Sequence, residues 1–362
     1  MQTATTPAPT PDTAQASKTP MLNVSYSSAK TFRECEQEYY LKHVRRLSRK
    51  DRPPALELGS VIHTYLEIYY RSLYEKMSAE SAHARALISM TEKWLPILLK
   101  QAEAAMRADK LEAADTLRDM VDKAQRLMVR YFNIRGRLDA TTWEILHIEQ
   151  FLSVPIGTTI KSNGFVDLIA RNLETGRISL WDHKSSVQPL SADRRTMDLQ
   201  TRIYAYKATK LLDIQIDSIT WNNIRTKEPT EPAVLKSGKL GERKDLDSTR
   251  ETYLAAIQRE GLDSEDYEEM LTLLDGREES VFFPRFEVPV GPSRLLLRDY
   301  VQTARDIERI RPLWESGERT PIKNVTGNCK RCEFHPICLA DIMTGDGLDV
   351  IKLRYMENKR RD

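Results

Sequence analysis

Three segments between Thr142 and Ser186 share a pattern that leaves the chain few folds. "TWEILHIEQFLSVPI", "TIKSNGFVDLIARN" and "RISLWDHKSS" are rich in β-branched residues and nearly alternate apolar with polar positions. The connections between them, including a turn at "LETG", are only a few residues long. Parallel neighbours need a crossover of a dozen residues or more, so these strands form an antiparallel meander. A helix at 191–212 and a further strand at 214–226 come next. Helix, three strands, helix, strand is the order of an α/β core.

Around this centre the chain reads mostly as helix. Residues 27–46 form one helix with Ser27 or Ser28 near its cap, and 56–77 a second. Residues 78–135, rich in Ala, Leu, Glu, Lys and Arg, read as an inserted helical subdomain. Residues 227–250 are a polar loop, 251–275 helical, 279–290 a strand and 293–317 a long helix. Residues 1–22 carry Pro, Thr and Ala without an apolar core, as a disordered leader does. Residues 341–362 are assigned to a C-terminal tail.

The composition, 40% hydrophobic and 30% charged over 362 residues, is that of a soluble globular protein. No apolar run is long enough to cross a bilayer, and the leader is no secretory signal. The expected compartment is therefore a reducing cytoplasm, where disulfides are disfavoured. The net charge of +2 says little about partners. The basic run "LKHVRRLSRKDR" (41–52) matters only if it lies beside a chemical site.

Chemistry enters through charged residues inside the strands. Asp167 stands between apolar neighbours in "GFVDLIA", where an unpaired carboxylate is costly. Asp182 and Lys184 are two apart at the end of the third strand and share one of its faces. Two carboxylates and an ammonium at strand ends suit phosphodiester cleavage. Carboxylates bind Mg²⁺ or Mn²⁺ through oxygen, and a lysine offsets developing charge. A structural ion pair between Asp182 and Lys184 is the plainer alternative. His63 sits in an otherwise apolar helix, and Gln200 and Tyr204 share one helical face.

The four cysteines are Cys35 and the C-x2-C-x5-C set Cys329, Cys332 and Cys338. A Cys3His zinc site fits the spacing, with either Cys35 or His335 as a ligand. A four-thiolate iron–sulfur cluster fits as well, with Pro336 close to a ligating cysteine. Either would clasp the two ends of the chain together.

In order, "GSVIH", "GFVD", "DHK" and "QTRIY" supply G-x3-H, G-x2-D, D-x-K and Q-x3-Y. The series resembles the RecB-type branch of the PD-(D/E)XK nuclease superfamily. The bracketing cysteines resemble its iron–sulfur subset, which includes the AddB nuclease domain and the CRISPR-associated Cas-four exonucleases. The resemblance implies a restriction-endonuclease-like mixed sheet flanked by helices, over residues 23–340. It implies that His63, Asp167 and Asp182, with the backbone carbonyl of His183, ligate Mg²⁺ or Mn²⁺, and that Glu149 supports this shell. Lys184 would be the catalytic lysine, and Gln200 and Tyr204 would position DNA. Cys35, Cys329, Cys332 and Cys338 would hold a 4Fe–4S cluster, with Zn²⁺ as the alternative. Val166 stands where the nominal signature has proline, and "VLKSGKLGERKD" resembles a loop of phage-encoded members. The implied activity is exonucleolytic hydrolysis of single-stranded DNA or DNA ends in recombination, repair or phage DNA processing, in the bacterial host cytoplasm if phage-encoded. A non-catalytic DNA-binding module is the alternative. The sequence carries no G-x4-GK[ST], so unwinding would come from a helicase, recombination or CRISPR partner.

Overall fold

A computed structural model describes residues 21–50, 54–291 and 294–358. Strand β1 (Leu22–Ser25) leads into helix α1 (Tyr26–Glu34) and, after a break, α2 (Glu36–Tyr39), which runs on as a π-helical turn (Tyr40–Val44). Strand β2 (Leu47–Arg49) precedes α3 (Pro54–Tyr74), α4 (Ala79–Arg107), α5 (Leu111–Arg118), α6 (Met120–Tyr131) and α7 (Arg137–Thr142). The meander is β3 (Trp143–Pro155), β4 (Ile160–Asn172) and β5 (Ile178–Ser186). Helices α8 (Ala192–Thr196) and α9 (Leu199–Leu212) cross over to β6 (Ser218–Arg225). Then come α10 (Arg250–Arg259), α11 (Glu268–Leu273), β7 (Arg285–Pro289) and α12 (Arg294–Glu315). Helices α13 (His335–Met343) and α14 (Gly347–Arg354) and strand β8 (Tyr355–Glu357) complete the described residues.

The sheet is mixed. β3–β4, β4–β5 and β6–β7 pair antiparallel, while β5–β6 and β1–β4 pair parallel. The parallel β5–β6 pair is joined directly through helices α8 and α9, as parallel geometry requires. One face of the sheet packs Leu168, Ala170 and Trp181 against Val61, Ile62 and Tyr65 of α3. Met90 of α4 and Leu127 of α6 belong to that same continuous core. The segment 78–135 thus shares its core with the sheet. The other face packs Leu152, Val166, Ile169 and Leu180 against Ala205 and Ala208 of α9. The two faces therefore carry two separate helical layers.

Several elements differ from the sequence-based expectation. The helix expected over 27–46 breaks at Cys35, whose backbone is extended at φ −164°. Its cap is Ser25, whose hydroxyl accepts the Ser28 N–H, rather than Ser27 or Ser28. No Gly or Pro marks the break. It is held by distant groups: Gln37 N–H donates to Ile322 O at 3.0 Å and Asn324 Nδ2 donates to Glu34 O at 2.8 Å. The 191–212 helix is divided, with Asp198 capping α9. Of the strand expected over 279–290, residues Glu278–Phe282 form a π-helical turn that buries Phe282, and only Arg285–Pro289 pair. Residues 347–357, assigned to a tail, form α14 and β8, and β8 pairs with β2. Leu22, assigned to the leader, is the first residue of β1. Residues 1–20 of that leader lie outside the described residues. Within the basic run, Lys42 pairs with Glu333, Arg45 with Glu357, and Lys50 donates to Lys352 O. These cations bind the C-terminal elements to the N-terminal ones. No helix among the described residues is long and apolar enough to span a membrane.

Candidate metal centre

The site lies where the sheet divides. β3 follows one edge of β4 from Asn172 to Lys161. The opposite edge is shared, with β5 taking Leu168–Arg171 and β1 taking Ile160–Asn163. Residues 164–167 lie in the gap between them. A backbone donor facing such a gap needs another acceptor. The Asp167 carboxylate supplies it, accepting the His183 N–H at 2.8 Å.

Both strands also change face here. Val166 and Leu168 flank Asp167, and both are buried, but in opposite cores. In β3, pairing lapses opposite Asp167, between the pairs Ile148↔Leu168 and Gln150↔Val166. The residue at the lapse is Glu149, in the left-handed region at φ +46°. That conformation costs a non-glycine residue about 1–2 kcal/mol. It aims the Glu149 carboxylate toward α3, whose Glu67 and Arg71 are its charged neighbours.

Helix α3 delivers the third group. Gly59 lies so close to β5 that an added Cβ would sit 3.1 Å from Ser185 Oγ. One turn later His63 brings Nδ1 to 4.0 Å from Asp167 Oδ2. One ligand atom each from His63, Glu149 and Asp167 lie within 4.8 Å of one another. Ligands of a small divalent cation sit about 3–4 Å apart, so a contraction of up to about 2 Å closes this set.

Asp182 and Lys184 face the α9 side. Asp182 is 5% exposed, and Lys184 Nζ lies 2.7 Å from its Oδ2. At that separation the ammonium is the counter-charge of a buried carboxylate. Burial pushes the Asp182 carboxyl up; Lys184 opposes this and Asp167 adds to it. Burial works against the Lys184 charge, but Asp182, with Asp167 and Asp198 adding to it, outweighs burial and keeps the ammonium protonated. Glu149 is pushed up to about 7, by burial and then by Asp167. From α9, Tyr204 closes over Gly164, whose added Cβ would sit 2.6 Å from the ring. Burial, then Asp182 and Asp167, raise its phenol to about 12, with Gln200 beside it. The phenol is therefore a donor at neutral pH.

A family model described as the PD-(D/E)XK nuclease superfamily matches residues 23–339. The chain belongs to the PD-(D/E)XK nuclease superfamily. No curated protein matches it. Of the nuclease motif residues, the structure gathers His63, Glu149 and Asp167, and sets the Asp182–Lys184 pair next to them. Glu149, the sequence position held to be merely supporting, is a full member of the trio.

Beneath the centre of this nuclease lies a polar network that no motif signals. His183 points away from Asp182, stacks on Tyr70 at 5.5 Å and meets Asn222 Nδ2 through Nδ1 at 2.9 Å. Asn222 Oδ1 accepts from Arg285 Nε, and Arg285 forks onto Asp139 at 2.5 and 2.6 Å. Tyr70 and Tyr131 join their hydroxyls, and Tyr70 donates to Asp139. Burial holds the His183 imidazole well below its ordinary pKa, hence neutral.

The four cysteines line one cavity of about 60 Å³, with Glu38 and His335. Cys35 sits at the α1–α2 break, Cys329 on a 3-10 turn capped by Thr326, Cys332 at the end of that turn, and Cys338 in α13. Among the described residues, no three of these sulfurs lie within 4.8 Å of one another. Tetrahedral zinc at 2.3 Å bonds needs its sulfurs about 3.8 Å apart. Four thiolates are the donor set of either a structural zinc or a cubane iron–sulfur cluster. Burial pushes the Cys332 thiol up to about 12 and Cys338 upward as well. Beside this site Tyr39 is core, packed on Phe32 and Trp314.

Proposed function

We propose that this nuclease is a RecB-type, divalent-metal-dependent DNA exonuclease acting on single strands or DNA ends, with an iron–sulfur clasp. The observation that carries the reading is the approach of His63, Glu149 and Asp167 within 4.8 Å, beside the buried Asp182–Lys184 pair. Asp182 and the His183 carbonyl would complete the ligand set. Mg²⁺ or Mn²⁺ held there supplies Lewis-acid stabilisation of the phosphate and an acidified water. Lys184 orients that water and offsets the negative charge that develops on the phosphate. Tyr204 donates its hydroxyl to a phosphate oxygen, and Gln200 orients Tyr204. His183, held neutral by burial and fixed by Asn222, keeps β5 in register so that Asp182 and Lys184 stay on the reacting side.

Digestion of end-labelled single- and double-stranded DNA, with Mn²⁺ and with EDTA, tests this. Metal-dependent shortening of the single strand is expected. DNA binding without cleavage in either metal would favour the binding-module alternative.

Metal affinity should depend on pH. Glu149 has a folded-state pKa of about 7, above its ordinary value, so the metal-free native state holds more protons than the unfolded one between about pH 4 and 7. Stability of the metal-free protein therefore falls as pH rises through that window. Mn²⁺ displaces the proton, so its affinity should rise by up to about tenfold per pH unit up to pH 7, then level off. Calorimetric titration from pH 6 to 8 measures this, and a flat profile would contradict it.

The cysteine site makes its own prediction. Anaerobically purified protein should be brown and hold about four irons per chain. Cys35→Ser should lose most of the iron and absorbance. A colourless, zinc-loaded preparation would reverse the assignment.

A further inference from the structure

Phe151 and Phe165 are the only exposed phenylalanines among the described residues, at 47% and 56%. They form a directly opposed cross-strand pair on β3 and β4, ring centroids 5.0 Å apart. Their neighbours Leu152 and Val166 are buried in the α9 core, so by strand alternation both rings face the α3 side. That is the side toward which Glu149 points and from which His63 reaches Asp167. Each ring lies two residues from a trio carboxylate, about 7 Å along its strand. This corresponds to about two stacked-base steps of 3.4 Å.

The pairs beyond continue outward in the same register. Ser153 opposes Asn163, joined at 2.7 Å, and Pro155 opposes Lys161. From the metal trio outward, the face thus presents acid, aromatic, neutral polar and cation. Two apolar rings left in water beside a phosphate-cleaving centre call for a flat apolar ligand.

We propose that Phe151 and Phe165 form a stacking platform for an unpaired base of the DNA strand, beside the scissile phosphate. The proposal rests on the function assigned above and deepens it. A base stacked there must leave its duplex partner, so the platform selects single-stranded substrate. Stacking is indifferent to base identity, so cleavage carries little sequence preference at this position.

The test is cleavage of a short end-labelled single strand with Mn²⁺, and of the same strand with one abasic site moved through it. For the wild type, one abasic position should raise KM by about tenfold, the ordinary effect of one lost base stack. F151L/F165L keeps the apolar contact and removes the ring faces. It should raise KM on the intact strand by a similar factor, bind Mn²⁺ as the wild type does, and lose sensitivity to the abasic site. A pair serving only to stabilise the β3–β4 ladder would change Tm and leave the abasic profile untouched. Indifference of the wild type to every abasic position overturns the platform without any variant having to fold. So does a double variant with unchanged KM. Absence of metal-dependent cleavage by the wild type overturns the nuclease reading along with it.

Discussion

Lys184→Ala is expected to slow DNA cleavage by about 10²–10³-fold, the usual effect of removing one charge-stabilising donor from a reacting centre. Lys184 Nζ is the cation next to Asp182 Oδ2, at 2.7 Å. Without it, Asp182 is a buried carboxylate with no counter-charge and takes up a proton more readily. The variant should therefore fold, and lose more stability at pH 8 than at pH 6. Asp182→Asn should slow cleavage at least as much. Single-turnover rates with Mn²⁺ and thermal melts in EDTA separate the two effects. Wild-type cleavage by Lys184→Ala would reduce the pair to a structural ion bridge.

Arg285→Met is expected to destabilise the fold by about 3–5 kcal/mol, the range for breaking a buried charge pair on one side. Asp139 is 0% exposed and is forked by Arg285 at 2.5 and 2.6 Å. Removing the guanidinium also orphans Oδ1 of Asn222, the residue whose Nδ2 meets His183 Nδ1. Activity should fall in the surviving folded fraction, because β5 loses its anchor. Asp139→Asn combined with Arg285→Met should recover part of the stability, since no bare charge remains. Urea melts of the single and double variants measure this. A loss under about 1 kcal/mol for Arg285→Met would show the network to be dispensable.

Local pattern carried much of the fold. The alternation in β3, β4 and β5, with their short links, was sufficient for an antiparallel meander, and the following helix and strand were legible, while the parallel pairing of β6 with β5 came from the structure. The glycines of G-x3-H and G-x2-D have local reasons. Gly59 lets α3 approach Ser185, and Gly164 makes room for the Tyr204 ring. Other features had no local signal. Cys35 breaks a run of good helix formers because Ile322 and Asn324 offer its neighbours better hydrogen bonds. β1 and β8 are too short to be read by period, and exist only because β4 and β2 offer free edges. The Phe151–Phe165 pair reads in sequence as ordinary alternation. Only the burial of Leu152 and Val166 in the opposite layer shows the rings facing solvent.

By itself the sequence determined which residues could do chemistry: Asp182 and Lys184 lie two apart on one strand, and alternation places them on one face whatever surrounds them. Tertiary structure alone decided which groups meet. Glu149 reaches Asp167 through a left-handed kink and a lapse in pairing, and His63 arrives on a helix more than a hundred residues away along the chain. Asp139 and Arg285 are 146 residues apart and pair in the interior. The reason is one of range. Periodicity records the face a residue presents, within about two turns or strand steps. Convergence depends on how separate layers pack, and that free energy is spread over apolar contacts that no short motif records.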